Sequence, residues 1–166
     1  MPQDRVDSML AQWKRERPEL DRSGLAIVLR ILMLSGHMSE RLKQALLPFD
    51  LAAFEFDVLS ALRRTGKDGG LSPGELCESA QLTTGAMTHR LRRLEARGYV
   101  QRLPDPNDGR GRRVRLTPSG RRLIDKVIEA RMRSAADSVR HLDRGARKQL
   151  TELLRELSLG LPGEEE

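Results

Sequence analysis

The chain has 166 residues, of which 33% are charged, 38% hydrophobic and only 3% aromatic, a composition that suits one soluble globular domain with a modest core. Its formal net charge is +6, and the whole excess falls between residues 83 and 117, which hold nine basic and three acidic residues; a field that concentrated favours a polyanionic partner. Cys77 is the only cysteine, which excludes an internal disulfide and points to a cytoplasmic home, the start MPQDRVDSML is no signal peptide, and the longest apolar run, LAIVLRILML, is broken by Arg30 and too short to span a membrane.

Residues 3 to 17 read as a short amphipathic helix, with Val6, Met9, Leu10 and Trp13 at helical spacing before Pro18 ends it. Asp21 and Ser23 can cap a long second helix reaching about residue 47, striped by Leu25, Val28, Leu29 and Leu32. Pro48 and Asp50 mark a break. A third helix follows over 51 to 64, with Phe54, Val58, Leu59 and Leu62 inward, and TGKDGG then reads as a loop. In LSPGELCESA, Ser72 and Glu75 form a capping-box pair and Pro73 sits where a first-turn proline is tolerated. Thr83 or Thr84 caps the next helix, TGAMTHRLRRLEARG, which Gly98 closes. Two short helices joined by a tight turn make a helix-turn-helix. Beyond Gly98 the period changes. YVQRL and RRVRLT read as strands around a turn containing Pro104, Pro106, Asn107 and Gly109, so a β-hairpin follows the helix pair. Thr117 and Pro118 open a helix to about residue 142, and a last helix over 144 to 159 carries Leu150, Leu153, Leu154 and Leu157 on one face.

The fold class is therefore mainly α: a winged helix-turn-helix flanked by long N- and C-terminal helices, whose apolar stripes exceed what the small winged core would cover and so suit a dimerisation region. Residues 1–50 and 118–160 supply that region, 51–117 the DNA-binding part, and 161–166 a flexible acidic tail. On the second helix of the pair, a step of about 100° per residue puts Met87, Leu91 and Leu94 on one stripe. Arg92, His89 and Arg93 fall opposite, with Gly85 and Ala96 among them and Thr88 at the edge. Small residues, hydroxyls and arginines facing outward suit the major groove, where arginine bridges two guanine acceptors. Thr84, Thr88, His89, Arg92 and Arg93 are the expected groove contacts. In NDGRGRRVRLT four arginines occupy six positions, and a wing tip so charged suits phosphates or a narrow minor groove. Arg110, braced by Asp108, and Arg112 and Arg113 are the expected wing contacts, although strand alternation keeps neighbouring arginines from all facing one way.

The stretch LSPGELCESAQLTTGAMTHRLRRLEARGYVQRLPDPNDGRGRRVRLTPSG resembles the core of the MarR family of bacterial winged-helix transcription regulators, in the order of helix, turn, helix, LEARGYV, PDPNDGR, VRLT and SG. The resemblance implies a homodimer with interleaved terminal helices, reading a pseudo-palindromic operator in double-stranded DNA. It carries the family's Asp-x-Arg wing pair onto Asp108 and Arg110, with Gly109 between them where arginine is common; Arg112 and Arg113 stand at positions that are often apolar. The extra N-terminal helix DSMLAQWKRERPELD resembles that of the urate-responsive branch. That resemblance implies a ligand site of Trp13, Asp57, Arg90 and Arg102, in which a flat anion stacks on the tryptophan, is held by arginine and displaces the aspartate. The plainer readings stand beside it: Trp13 as a packing anchor, Asp57 as a salt-bridged helix residue, Arg90 and Arg102 as phosphate or structural contacts.

Other classes fit less well. His37, His89 and His141 and the single cysteine fall in no metal-ligand spacing, and there is neither a phosphate loop nor a nucleophile elbow, so no catalytic residue, metal or cofactor is expected. The effector alternatives are an aromatic carboxylate or tricarboxylate, or an oxidant sensed through Cys77, whose default role is a buried packing residue.

Overall fold

The computed structural model describes residues 2–66, 70–80, 84–106 and 108–161. Its elements are α1 (Arg5–Glu16), α2 (Ser23–Leu46), a 3-10 turn (Leu47–Phe49), α3 (Ala53–Arg64), α4 (Pro73–Ala80), α5 (Thr84–Ala96), β1 (Val100–Asp105), β2 (Asp108–Leu116), α6 (Pro118–Ser138) and α7 (Arg144–Gly160). They fall into two compact units, Met1–Gln44 and Ala45–Glu166.

In the first unit, Asp4 caps α1: its Oδ1 accepts from Asp7 N at 2.9 Å, and Asp4 N donates back to Asp7 Oδ2 at 3.0 Å. Arg30, the charge that interrupts the apolar run of α2, reaches the same pair, with Nε 2.8 Å from Asp4 Oδ2 and Nη2 2.6 Å from Asp7 Oδ1. The hydrogen bond from Arg30 holds the Asp4 carboxyl below the usual carboxylate range. One arginine thus fastens the start of α1 to α2. Val6 is buried, whereas Ile27, Val28, Leu32 and Leu34 of α2 are exposed.

The core of the second unit is built by Val58, Leu59 and Leu62 of α3, Leu76 of α4, Met87, Leu91 and Leu94 of α5, Val100 and Val114 of the hairpin, and Ile124 and Val127 of α6, all buried. Ser72 and Glu75 open α4 with the reciprocal capping pair, at 3.2 and 2.8 Å. After α5, Gly98 N donates to Glu95 O and Tyr99 N to Leu94 O, which turns the chain into β1. The strands pair antiparallel from Val100 opposite Leu116 to Pro104 opposite Arg112, with an irregularity between Pro104 and Asp105. They run further toward the tip than YVQRL and RRVRLT indicate, because the backbone pairing continues through the charged residues.

Two close backbone approaches fix this unit. Gly70 has φ +79°, and a Cβ there would lie 2.3 Å from Val114 O, where Leu71 pairs with Val114 as an isolated bridge. Gly120 lies in the first turn of α6 against the Tyr99 carbonyl, which a Cβ would meet at 1.9 Å. The SG of VRLTPSG is therefore a packing requirement that seats α6 on the hairpin base. Thr117 caps the same helix, accepting from Gly120 N at 3.0 Å. The helix ends at Ser138, earlier than the sequence indicates.

The inward face of α3 also differs from expectation. Phe54 is only half-buried, and Glu55 takes the fully buried place, at 0% exposure. Its spacing to Val58, Leu59 and Leu62 is the i, i+3, i+4, i+7 pattern of a buried stripe.

Candidate nucleic-acid interface

The geometry of α5 follows its sequence. Met87, Leu91 and Leu94 are 1%, 2% and 0% exposed and anchor one face. Thr88, His89, Arg92 and Arg93 are exposed on the other side. Thr83 and the side chains of Thr84, Asp108 and Arg110 lie outside the described residues; the backbone of Thr84 opens α5, and Asp108 and Arg110 belong to β2.

The exposed arginines are not equivalent. Arg92 makes no ion pair among the described residues, but Arg93 does, with Nε 3.1 Å from the buried Glu55 Oε1. Arg97, one turn further on, places Nη1 3.3 Å from both Glu55 oxygens and Nη2 3.0 Å from Asp50 Oδ2. Glu55 Oε2 also accepts from Ala52 N at 2.9 Å. One buried carboxylate therefore caps α3 and holds two arginines of the α5 end. Sequence reasoning does not single out Glu55; its one signal is a charged residue in the apolar register of α3. Arg93, expected in the groove, is half-exposed and also engaged in positioning α5 through Glu55.

The wing divides in the same way. Arg112 is exposed, and its one side-chain hydrogen bond among the described residues goes to the neighbouring Gly111 O. Arg113, expected at DNA, is turned to the protein: its side chain is 19% exposed, with Nη1 3.0 Å from Asp105 Oδ2 and Nη2 2.9 Å from both Glu75 Oε2 and Gly70 O. The hydrogen bond it donates to Asp105 and the charge of Glu75 hold its guanidinium more firmly protonated than usual. Three acceptors from the hairpin, α4 and the preceding loop consume the fork, so Arg113 sets the wing against α4 and does not reach outward. Its strand position is legible in the sequence; the reach of a long side chain to Glu75 is not.

Of the residues expected to hold a ligand, Trp13 is 48% exposed on α1. The other three lie in the second unit. The Arg90 guanidinium sits 4.9 Å from the centre of the Phe54 ring, and its Nη1 is buried without a hydrogen-bond partner. Burial holds the half-buried Asp57 carboxyl above the usual carboxylate range, while the Arg90 cation pulls it the other way. Arg102 lies 3.3 Å from Glu95 Oε2, yet its Nε and Nη2 are buried and unsatisfied by hydrogen bonds. Buried guanidinium N–H groups without acceptors are costly unless an anion completes them. Cys77, expected to be buried, is a half-buried free thiol on α4. Among the described residues no group of three potential metal ligands occurs, and no helix is long and apolar enough to cross a membrane.

A short capped helix, a second helix with a basic outward face and a basic two-stranded hairpin define a winged helix-turn-helix built to bind DNA. Similarity to known proteins narrows the class further. Residues 49–111 match the model of the MarR family. The chain is 31% identical over 132 residues to the HTH-type transcriptional regulator PecS of Dickeya dadantii, covering 80% of each protein. It is 36% identical over 96 residues to the multiple antibiotic resistance protein MarR of Salmonella typhimurium, 58% of this chain and 65% of that one. The structure of an Escherichia coli MarR variant complexed with operator DNA superposes with a TM-score of 0.70 at 27% identity, covering 90% of this chain and 98% of that one. The chain belongs to the MarR family of DNA-binding transcription regulators, and its relatives are regulators rather than enzymes.

Proposed function

We propose that the protein is a homodimeric cytoplasmic repressor, released from a pseudo-palindromic operator by a small anion of the urate type. The observation that carries the effector reading is the pair of half-buried arginines, Arg90 and Arg102: Arg90 Nη1 and Arg102 Nη2 are buried without acceptors, and Arg102 Nε has only the 3.3 Å ion pair with Glu95. An oxyanion supplies those acceptors. It also competes with Asp57 for Arg90, a residue of α5 itself, so ligand charge acts directly on the helix that reads DNA.

Groove contact falls to Thr84, Thr88, His89 and Arg92, with Arg93 divided between DNA and Glu55. Wing contact falls to Arg110 with Asp108, and to Arg112. Dimerisation falls to residues 1–50 and 118–160: Leu150, Leu153, Leu154 and Leu157 leave an apolar stripe exposed along α7, and two half-sites one turn of DNA apart need two recognition helices.

The test is fluorescence anisotropy on DNA from the region upstream of the protein's own gene, at fixed salt, with and without urate, beside Asp57→Ala. Release by urate that the variant alters supports the reading. Tight binding that urate leaves unchanged removes urate, and aromatic carboxylates and tricarboxylates are then titrated in its place. Retention of a full oxidant response by Cys77→Ser disposes of the redox alternative.

A further inference from the structure

A cavity of about 350 Å³ opens at the base of the wing, and neither Asp57, Arg90 nor Arg102 lines it. Its walls come from three elements: Leu62, Arg63 and Gly66 at the end of α3, Gln101, Arg115 and Leu116 of the hairpin, and Thr117, Pro118 and Arg121 where α6 begins. That volume lies toward the lower end of the range for small-molecule sites.

The charges in it do not cancel. Arg63 is neutralised by Asp125, whose Oδ1 lies 2.6 Å from its Nε. Arg115 is oriented by a neutral group: Gln101, its amide oxygen toward the guanidinium, accepts from Nη2 and Nε at 2.9 and 2.6 Å. Arg121 makes no side-chain ion pair among the described residues. Two uncompensated guanidinium groups therefore share one concave site, beside the N-terminal and positive end of the 21-residue α6. The cap of α6 is already filled by Thr117, so the free donors of the cavity are the arginine forks. Leu62, Leu116 and Pro118 give it an apolar wall.

We infer that this cavity binds a small organic dianion, with two oxyanion groups on Arg115 and Arg121 and an apolar body against Leu62, Leu116 and Pro118. A monoanion leaves one guanidinium uncompensated, so the site discriminates by charge number. Arg115 is two residues from Arg113 on β2, which places the ligand next to the strand that carries the wing.

The experiment titrates the full-length protein with phthalate, and with benzoate as a monoanion of similar shape, and follows the arginine Nε–Hε signals by NMR, assigned through Arg→Lys variants. Phthalate is expected to move the Arg115 and Arg121 signals, and benzoate to bind about tenfold more weakly, the loss of one charge-assisted hydrogen bond. Arg121→Ala is expected to weaken phthalate to a similar degree, and Asp57→Asn to leave it unchanged. Signals that stay still at millimolar phthalate, or equal response to both probes, overturn the inference. So does a loss of DNA affinity in Arg121→Ala that is uniform across sequences and flattens the salt dependence, since that would make Arg121 a phosphate contact. Failure here leaves the Asp57, Arg90 and Arg102 reading intact, because no residue is shared.

Discussion

Replacing Glu55 by alanine removes three things at once from the junction of α3 and α5. The first is the hydrogen bond to Ala52 N at 2.9 Å, which contributes about 1 kcal/mol as a helix cap. The second is the ion pair with Arg97, whose side chain is 22% exposed; a charge-assisted hydrogen bond in that setting contributes about 1.5 kcal/mol. The third is the ion pair with Arg93, whose 51% exposure lets water screen it to about 0.5 kcal/mol. Together the loss comes to about 3 kcal/mol, or roughly 6–12 °C in melting temperature for a chain of this length. Glu55→Gln keeps an oxygen for Ala52 N but loses the charge, so it should cost roughly half as much. The assay is urea and thermal unfolding at one fixed protein concentration, because the apparent stability of the proposed dimer depends on concentration. A double-mutant cycle with Arg97→Ala isolates the pair and should return a coupling of about 1–2 kcal/mol. On operator DNA, Glu55→Ala should narrow the gap between specific and non-specific affinity, since the carboxylate fixes the end of α5 and touches no base. A coupling near zero, together with a loss below about 1 kcal/mol, would refute the assignment of Glu55 as the hub of this junction.

Arg112→Ala should leave the melting temperature unchanged and lower the slope of log affinity against log salt by about 0.9 for each phosphate it no longer neutralises, whereas Arg113→Ala should melt earlier and bind DNA more weakly with that slope unchanged; the same salt titration on both variants decides it, and the reverse pattern would mean that the inward placement of Arg113 is wrong. Because burial raises the Asp57 pKa above its unfolded value, the folded state holds that proton more tightly, and stability falls as pH rises from the unfolded value through the folded one. Asp57→Asn escapes that loss, so its stability relative to the parent should grow from acid to neutral pH and then level off; a difference that is flat across that range counts against desolvation at Asp57. If the proposed dimer forms through α7, Leu153→Glu combined with Leu157→Glu should convert it to monomers in light scattering at micromolar concentration, and an unchanged mass would remove α7 from the interface.

What can be read from the sequence is whatever periodicity or local chemistry records. The buried stripe of α5, the Ser72 and Glu75 cap, and the Thr117 cap all depend on spacings of a few residues along one helix, and those spacings are visible in a string of letters. The departures share a different physics. Glu55 escapes notice because a helical stripe is sought among apolar residues, and a carboxylate in that register makes sense only once Arg93 and Arg97 arrive from far along the chain. Arg113 reads as a DNA contact because it stands in a run of four arginines in six positions; strand alternation gives only the side on which a Cβ leaves, and a guanidinium several bonds further out chooses its partner from whatever the fold brings near. The basic window from 83 to 117 thus holds two populations that composition cannot separate. Arg93, Arg97 and Arg113 are tied to acids elsewhere in the unit and position the DNA-reading elements, whereas Arg92 and Arg112 make no ion pair among the described residues. A net charge of +6 is therefore a poor count of phosphate contacts. The number of arginines without an acid within reach is the better one, and the salt slopes of the Arg112 and Arg113 variants measure that distinction directly.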